Sequence, residues 1–385
     1  MERRRRLMQF ITSRLEALDK LDQYIEKNIL NYNAKRNFDF GVNNRNNISC
    51  LSPYITHRLI TEYETVKLVL KKYPFQKVDK FIQEIFWRVY WKGWLELRPK
   101  VWTDFIEDLK TIKEDENYVK AVNGETEIKC FNDWVNELKD FNYLHNHTRM
   151  LFASIWIFTL KLPWQKGAEF FMKHLYDGDA ASNTLSWRWV AGIQTKGKNY
   201  LAQSWNISKF TNNKYNNVKL NETALPIVDK REYKISPIQI SKNEDLNDNL
   251  IIFENEMCTD FIEKKYKKIY YVLLSNDYRS IKLSTKVMNY KKDIIKSRLN
   301  EIKLDSELLS ENGLVSLFNT VKSSDVIYPS IGENFSFLNK AIKKNNLKIN
   351  FITRKEDEFC WKFSNKGYFN FKSNIPIILS TFKLN

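Results

Sequence analysis

The side chains best suited to chemistry lie between Asn142 and Lys196, in the segments LHNHTRM (144–150) and DGDAASNTLSWRWVAG (177–192). Asp177 and Asp179 supply two carboxylates, Asn183 a primary amide, and Trp187 and Trp189 two indoles, with Asn146 and Arg149 upstream. A carboxylate accepts from a ring N–H, an amide donates and accepts, and an indole offers π surface and oxidisable electrons. That combination suits a redox-active heterocycle. Each part alone has a plainer explanation: Asp-Gly-Asp is a common turn and helix-cap signal, and tryptophans at alternate positions usually fill a core. Only their joint occurrence points to a site.

Two further segments carry candidate groups. In ISCLSPY (48–54), Ser52 reads as a helix N-cap with Pro53 at the first helical position, so free backbone N–H groups and the hydroxyls of Ser49 and Ser52 make an anion site. Most such helix starts bind only their own backbone. In KFIQEIFWRVYWKGW (80–94), Glu84, Trp87, Arg88 and Trp91 share one helical face at spacings of three and four, setting an acid, a cation and two aromatics side by side. An amphipathic helix with a Glu84–Arg88 pair is the plainer reading of that face.

These groups need a scaffold. Leu7, Phe10, Ile11, Leu15, Leu18, Leu21, Ile25 and Ile29 recur at helical spacing, so residues 5–30 read as an amphipathic helix, followed by an Asn-rich loop at 31–48. Helical patterns resume at 53–71, 77–97, 101–111, 132–139, 146–160 and 165–175. The stretch 206–248, rich in Asn, Lys and Asp and carrying Pro226 and Pro237, reads as a long surface connection. Beyond it, short β-branched apolar runs at 249–256, 268–275, 326–331 and 347–353 alternate with helical segments at 258–266, 286–302 and 334–345. Such alternation predicts a small doubly wound parallel sheet. The expected fold class is α plus α/β: an all-helical domain at 1–225, a linker at 226–248 and a small α/β domain at 249–385.

With 385 residues the chain exceeds one typical core, which agrees with two domains. A formal net charge of +16 draws polyanions; nucleic acid leads, and a membrane surface or a nucleotide cofactor would also fit. Cys50, Cys130, Cys258 and Cys360 lie far apart without C-x-x-C spacing, which argues against a metal site or disulfide framework and suits a reducing cytosol. The opening MERRRR is basic, but the apolar LMQFI after it is broken by Thr12, Ser13 and Arg14, so no secretion signal is expected. The longest apolar run, LFASIWIFTL, falls short of the ~18 residues that span a bilayer. A soluble, cytoplasmic monomer is expected.

In order and spacing these motifs resemble the photolyase/cryptochrome family, and among its branches the photolyases that repair cyclobutane pyrimidine dimers. The resemblance covers residues 30–212 and implies a helical FAD-binding domain. It implies that Ser49, Cys50, Leu51 and Ser52 hold the pyrophosphate with help from Tyr32, and that Asp177 and Arg149 pair beside the flavin. Asp179 would accept from the ring N3–H and Asn183 would face N5. Gly178, Phe81, Glu84, Arg88 and Asn146 complete the cofactor side, Phe81 standing where many relatives have Trp. The E-x-x-W-R signature turns Glu84 and Trp87 toward the damaged base, with Arg88, Trp91, Asn146, His147 and Trp189 also on the DNA side.

The same resemblance narrows the substrate. Enzymes that repair (6-4) photoproducts carry His where this chain has Asn146 and Met150. Trp187 and Trp164 match the first two members of the chain through which light reduces oxidised flavin; for the third, Trp102 and Trp156 are candidates. The implied activity is light-driven splitting of pyrimidine dimers in DNA by an electron from reduced FAD, with Glu84, Asn146, Met150, Trp187 and Trp164 as the catalytic set. A blue-light photoreceptor that binds FAD without repair is the alternative within the family, and a helical nucleic-acid-binding protein without cofactor the alternative outside it. The family places its α/β domain first, whereas here that pattern follows the helical one. In relatives that domain can hold an antenna chromophore, for which this chain shows no motif.

Overall fold

A computed structural model describes residues 10–238, 240, 247–262, 266–302, 305–321 and 323–385, and in it a helical region precedes a five-stranded parallel sheet. The helical region runs α1 (Arg14–Lys27), α2 (Tyr32–Lys35), α3 (Ser52–Thr56), α4 (Glu62–Lys72), α5 (Phe75–Glu96), α6 (Lys100–Thr111), α7 (Glu116–Asn123), α8 (Lys129–Phe141), α9 (Asn146–Ser154), α10 (Trp164–His174), α11 (Ala180–Val190) and α12 (Ser204–Phe210). The later elements are β1 (Asn249–Phe253), β2 (Lys268–Val272), α13 (Thr285–Glu301), β3 (Ser306–Leu309), α14 (Glu311–Thr320), β4 (Ser323–Ile327), α15 (Glu333–Asn345), β5 (Lys348–Ile352), α16 (Lys355–Trp361), α17 (Tyr368–Ser373) and α18 (Ile375–Thr381). The α plus α/β class expected from the sequence is the one observed.

Side-chain caps set many of the boundaries. The Ser13 hydroxyl accepts from Glu16 N, Thr61 and Glu64 form a capping box, and Asp115 and Asp179 accept from the third residue of their helices. These caps also explain where the sequence pattern misleads. The first helix begins at Arg14 because Ser13 caps it there; residues 5–9 of the expected helix lie outside the described residues. The run expected at 53–71 breaks after Thr56, passes Arg58 with φ at 50°, and restarts under the Thr61 cap. Residues 258–262 and 266, expected to be helical, form turns and coil. The apolar run at 326–331 is only the end of a strand, which lies at Ser323–Ile327 and then leaves the sheet. Ser306–Leu309 is too polar and short to show as a strand in the sequence.

The strand order is β3-β2-β1-β4-β5, with every neighbouring pair parallel. The order reverses between β1 and β4, and the C-terminal ends of those strands form the crevice where open α/β sheets usually take ligands. Here that crevice packs against the helical region. Glu96, at the end of α5, accepts from Tyr328 Oη at 2.6 Å and from Ile331 N at 2.8 Å. Gly332 lies so close to the start of α11 that a Cβ there would come within 3.0 Å of the Ala180 Cβ. The C-terminal segment returns to α5, where a Cβ on Gly93 would meet the Trp361 Cα at 2.9 Å and the Ser364 Oγ at 2.6 Å.

The contact between the halves is strongly charged. Arg58, 1% exposed, donates to both Asp357 carboxylate oxygens at 2.6 and 3.0 Å and pairs with Glu256 at 3.2 Å, while Tyr63 Oη donates to Asp357 at 3.0 Å. Arg354 also pairs with Glu256 at 2.5 Å. Arg58→Ala strands these carboxylates without their main cation, and denaturant unfolding should report a loss on the order of 3–5 kcal/mol.

Glu96 makes the interface pH-sensitive. Burial pushes its carboxyl from the ordinary 4.5 up to about 7, against the two hydrogen bonds it accepts. A folded-state value above the unfolded one gives stability that is full in acid and lost as pH rises through about 7. Thermal melts from about pH 5 to about pH 8 should show that loss, and Glu96→Gln should flatten it by about 3 kcal/mol.

Candidate functional site

Segments remote in sequence meet around Asp177. The Ser52 hydroxyl donates to Asp177 Oδ2, Arg149 Nη2 donates to the same oxygen at 2.9 Å, and Thr56 Oγ1 donates to the Asp177 carbonyl at 3.4 Å. Arg88, from α5, donates to Thr56 Oγ1. The anion loop, the α5 face and the 144–179 segment thus form one cluster. One local expectation fails: α3 begins at Ser52, with Leu51 in the cap position, and the Ser52 hydroxyl serves Asp177 instead of the helix end. Cys50 precedes it in a left-handed conformation (φ 51°), which turns the chain into the helix. Ser49 is half-buried, while Cys50 and Leu51 are buried.

The carboxylates are tuned differently. Burial pushes Asp179 up, but Lys92, Arg88 and the Ser182 amide outweigh it and hold the group below the usual range. Asp179 is therefore an anion, already accepting from Ser182 N at 2.8 Å as the cap of α11. Asn183, one turn on and buried, donates Nδ2 to the Ala168 carbonyl at 2.9 Å, which turns Oδ1 the other way. Gly178 has room for no more than a tight Cβ, 3.3 Å from the Leu175 and Met172 carbonyls. Asp177 Oδ1, Ser182 Oγ and Arg88 Nε are buried without a hydrogen-bond partner. Buried polar atoms in native proteins are nearly always paired, so an acceptor, a hydroxyl and a donor left together fit a polar ligand.

On α5, Glu84, Trp87 and Arg88 are half-buried. Burial raises the Glu84 carboxyl, with Arg36 and Lys80 opposing. Tyr32 packs with Ile48, Cys50 and Tyr143 and lies edge-on to Phe81 at 5.2 Å, bridging the anion loop and α5. Trp91 differs from its expected place on the DNA side: it is buried, 5.3 Å from the Trp87 ring and 5.0 Å from Tyr90, and backs the face from within. His147 likewise turns inward, its Nε2 2.8 Å from Asn206 Oδ1 and its ring edge-on to Phe210. Asn146 is exposed and Met150 half-buried one turn further along α9. Trp189 is half-buried and stacks on Tyr200 at 5.7 Å.

The tryptophans separate into two groups. Trp187, 2% exposed, stands 6.2 Å from Trp156 and edge-on to it; Trp156 in turn meets Tyr118 at 5.9 Å. Trp164 stacks on Phe105 at 5.5 Å, and Phe105 meets Trp102 at 5.6 Å. Trp187 reaches its place only because residue 167 has no side chain: a Cβ there would lie 2.2 Å from the indole. Gly167→Ala should therefore displace Trp187 and cost roughly 1–3 kcal/mol by overpacking, read as a lowered melting temperature with a shifted tryptophan emission.

Several groups in and around the cluster carry no sequence signal. His57 is buried and neutral, its Nδ1 2.7 Å from the Pro53 carbonyl and its Nε2 3.1 Å from Lys291 Nζ. Lys291 comes from α13, and burial pushes its ammonium down to about 8 despite Glu254 at 3.8 Å. Thr56, Lys92 and Tyr368 also enter only through tertiary contact. A cleft of about 1280 Å³ lies away from this cluster, between Glu96, Ser236–Ile238 and the β4–β5 side of the sheet with Tyr328 and Phe351.

Comparison with known proteins bears on the same region. Residues 81–238 match the family described as the FAD binding domain of DNA photolyase. The deoxyribodipyrimidine photo-lyase of Buchnera aphidicola subsp. Baizongia pistaciae is 30% identical over 180 residues, and that of Agrobacterium fabrum 32% identical over 184. These alignments cover 43% and 46% of this chain, and the chain spans 37% of the length of each relative. A crystal structure of a class III photolyase from Agrobacterium tumefaciens has a TM-score of 0.45 at 25% identity, over 51% of this chain and 42% of that one. Residues 81–238 are thus similar to the FAD binding domain of DNA photolyase, and the likeness to the deoxyribodipyrimidine photo-lyases covers less than half of the chain.

Proposed function

We propose that the chain binds FAD in its helical half and repairs cyclobutane pyrimidine dimers in DNA by light. The observation that carries this reading is the cluster at Asp177, where the anion loop, the α5 face and the 144–183 segment converge with unmet polar atoms pointing to a ligand. When bound, reduced FAD supplies light absorption and the electron that opens the cyclobutane ring. In this reading residues 1–225 form the FAD-binding half, 226–248 a linker and 249–385 the α/β half.

The chain's own residues bind and orient. The backbone N–H groups and hydroxyls of Ser49 to Ser52 hold the pyrophosphate, with Tyr32 beside them and Arg88 adding positive charge. Asp179, kept anionic by Lys92 and Arg88, accepts from a ring N–H, and Asn183 offers Oδ1 because Nδ2 is already given to Ala168. Asp177 and Arg149 close the polar side of the pocket.

The lesion side follows from α5 and α9. Glu84 and Asn146 hydrogen-bond the dimer carbonyls, and burial shifts the Glu84 carboxyl upward against Arg36 and Lys80. Met150 next to Asn146 leaves no histidine pair to serve as the proton donor of (6-4) repair. Trp87 and Trp189 provide stacking walls for a dimer flipped out of the duplex, a step made easier by weakened pairing at the damage. The net charge of +16 suits attraction to the phosphate backbone, so affinity should fall steeply with salt. Trp187, with Trp164 or Trp156 behind it, offers oxidisable indoles for keeping the flavin reduced.

A photoreceptor that binds FAD without repair is the second reading, since the cluster at Asp177 speaks by itself only for the flavin. Anaerobic illumination of reduced protein with a thymine-dimer oligonucleotide separates the two. Repair of the cyclobutane dimer is expected, with (6-4) photoproducts left intact and with FAD released on denaturation. Glu84→Ala should lower the yield per photon more than the DNA affinity, because its hydrogen bond matters most when the dimer carries the extra electron. Recovery of FMN alone would overturn the cofactor assignment, and absence of repair of either lesion would favour the photoreceptor.

A further inference from the structure

The face of α5 that carries Glu84 and Trp87 receives an aromatic ring from the far end of the chain. Tyr368, the first residue of α17, stacks on Trp87 with ring centroids 3.4 Å apart and planes 12° from parallel. Its hydroxyl donates to the Gln83 carbonyl at 2.6 Å, across 285 positions of sequence. Tyr90 meets Tyr368 edge-on at 5.4 Å and Phe371 stacks behind it at 6.2 Å. The segment leading to it is tied down as well: Tyr90 Oη donates to the Lys366 carbonyl at 3.0 Å and Arg98 Nη2 to the Asn365 carbonyl at 2.8 Å. Tyr368 is 7% exposed, whereas Trp87 and Glu84 stay half-buried. Burial, with Glu84 adding to it, pushes the Tyr368 phenol up, so the ring is neutral and its hydroxyl remains a donor.

We propose that Tyr368 is a positioning residue for recognition of the damaged base: it covers one face of Trp87, fixes the plane of the indole and leaves the opposite face as the stacking surface. This rests on the reading of the Glu84–Trp87 face as the one that meets the lesion. The physical basis is preorganisation. The terminal torsion of an indole side chain is broad, and a ring free on both faces must be ordered by the base that stacks on it. With Tyr368 and the Gln83 bond already in place, that ordering is done during folding. Glu84, one turn before Trp87, is held in the same frame, so the carbonyl-binding acid and the stacking ring keep a fixed relation. A segment beyond the sheet thereby becomes part of the recognition site of the helical half.

The test uses the full chain with its flavin, in the dark so that no repair intervenes. Affinities are measured for a thymine-dimer oligonucleotide and for the undamaged oligonucleotide of the same sequence, with Tyr368→Leu and Tyr368→Phe beside the parent. Tyr368→Leu keeps an apolar side chain but removes the stack, and should reduce the preference for damaged DNA about three- to tenfold, the size of one aromatic pairing, with affinity for undamaged DNA unchanged. Tyr368→Phe keeps the stack, loses only the bond to Gln83 and should stay within about twofold of the parent. A purely structural role would lower the melting temperature and both affinities together without moving their ratio. If Tyr368→Leu does not fold, Tyr368→Met gives the same comparison with a more adaptable side chain. A parent that prefers damaged DNA, joined by a leucine or methionine variant with the same preference, would overturn the role of Tyr368 alone. A parent with no preference would overturn the reading of the face, and the role of Tyr368 with it.

Discussion

A buried guanidinium must be fully paired or it destabilises the fold, and Arg58 imposes that condition on the whole molecule. It sits just after the anion loop, in a left-handed turn between α3 and α4, and its partners are Glu256 beyond β1 and Asp357 in α16. Arg354 pairs with Glu256, and the Tyr63 hydroxyl donates to Asp357. Glu62, four residues on from Arg58 in the same half, adds a third carboxylate at 3.5 Å, while Glu256 and Asp357 reach Arg58 from the other half. The Ser49–Ser52 loop, the end of the sheet and the start of the C-terminal helices are therefore placed relative to one another by one set of charge-assisted hydrogen bonds.

Helix α5 carries that placement to the site. Its 22 residues present Glu84, Trp87 and Arg88 to the candidate ligand side, while the absence of a side chain at Gly93 leaves room for Trp361 and Ser364 on another side. Glu96 at its end takes the Tyr328 hydroxyl and the Ile331 amide from the sheet. The crevice at the strand reversal, where such sheets often take ligands, thus serves as a docking surface for α5. One helix reads out three environments. Its glycine matters as well, since a Cβ at position 93 would come within 2.9 Å of the Trp361 Cα and the two segments could not stay as close.

Electrostatics within this frame are set by burial against pairing. His57 stays neutral because burial and Lys291 both disfavour a second positive charge. Asp179, Glu254 and Asp357 stay anionic because cations placed beside them outweigh burial. Glu84 and Glu96 go the other way, raised by burial that nearby partners only partly offset. The interior accordingly holds fixed anions near Arg88 and Lys92 and protonatable acids on α5, while the net charge of +16 belongs to the chain as a whole.

The sequence alone determined the class of fold and the chemistry of the motifs, because both are local. Periodicity of apolar residues marked α5, α6, α10, α13 and α15, and β-branched runs marked β1, β2 and β5. Asp179 as a helix cap, and the acid, indole and guanidinium of α5 on one face, depend on spacing within a few turns. Elements held by tertiary contact were not legible: β3 is polar and short, and α16 to α18 lack a strong pattern because α5 supplies the surface they bury against. The outward or inward turn of Trp91 and His147 was equally hidden, since a helical face shows which residues are neighbours and not which of them meets solvent. Only the tertiary structure brought Ser52, Arg88 and Arg149 to Asp177, filled the strand crevice with Glu96 and laid Tyr368 on Trp87. Those contacts join residues far apart in the chain, and their energy comes from pairing buried charges and filling space, neither of which is written in the spacing of residues along a sequence.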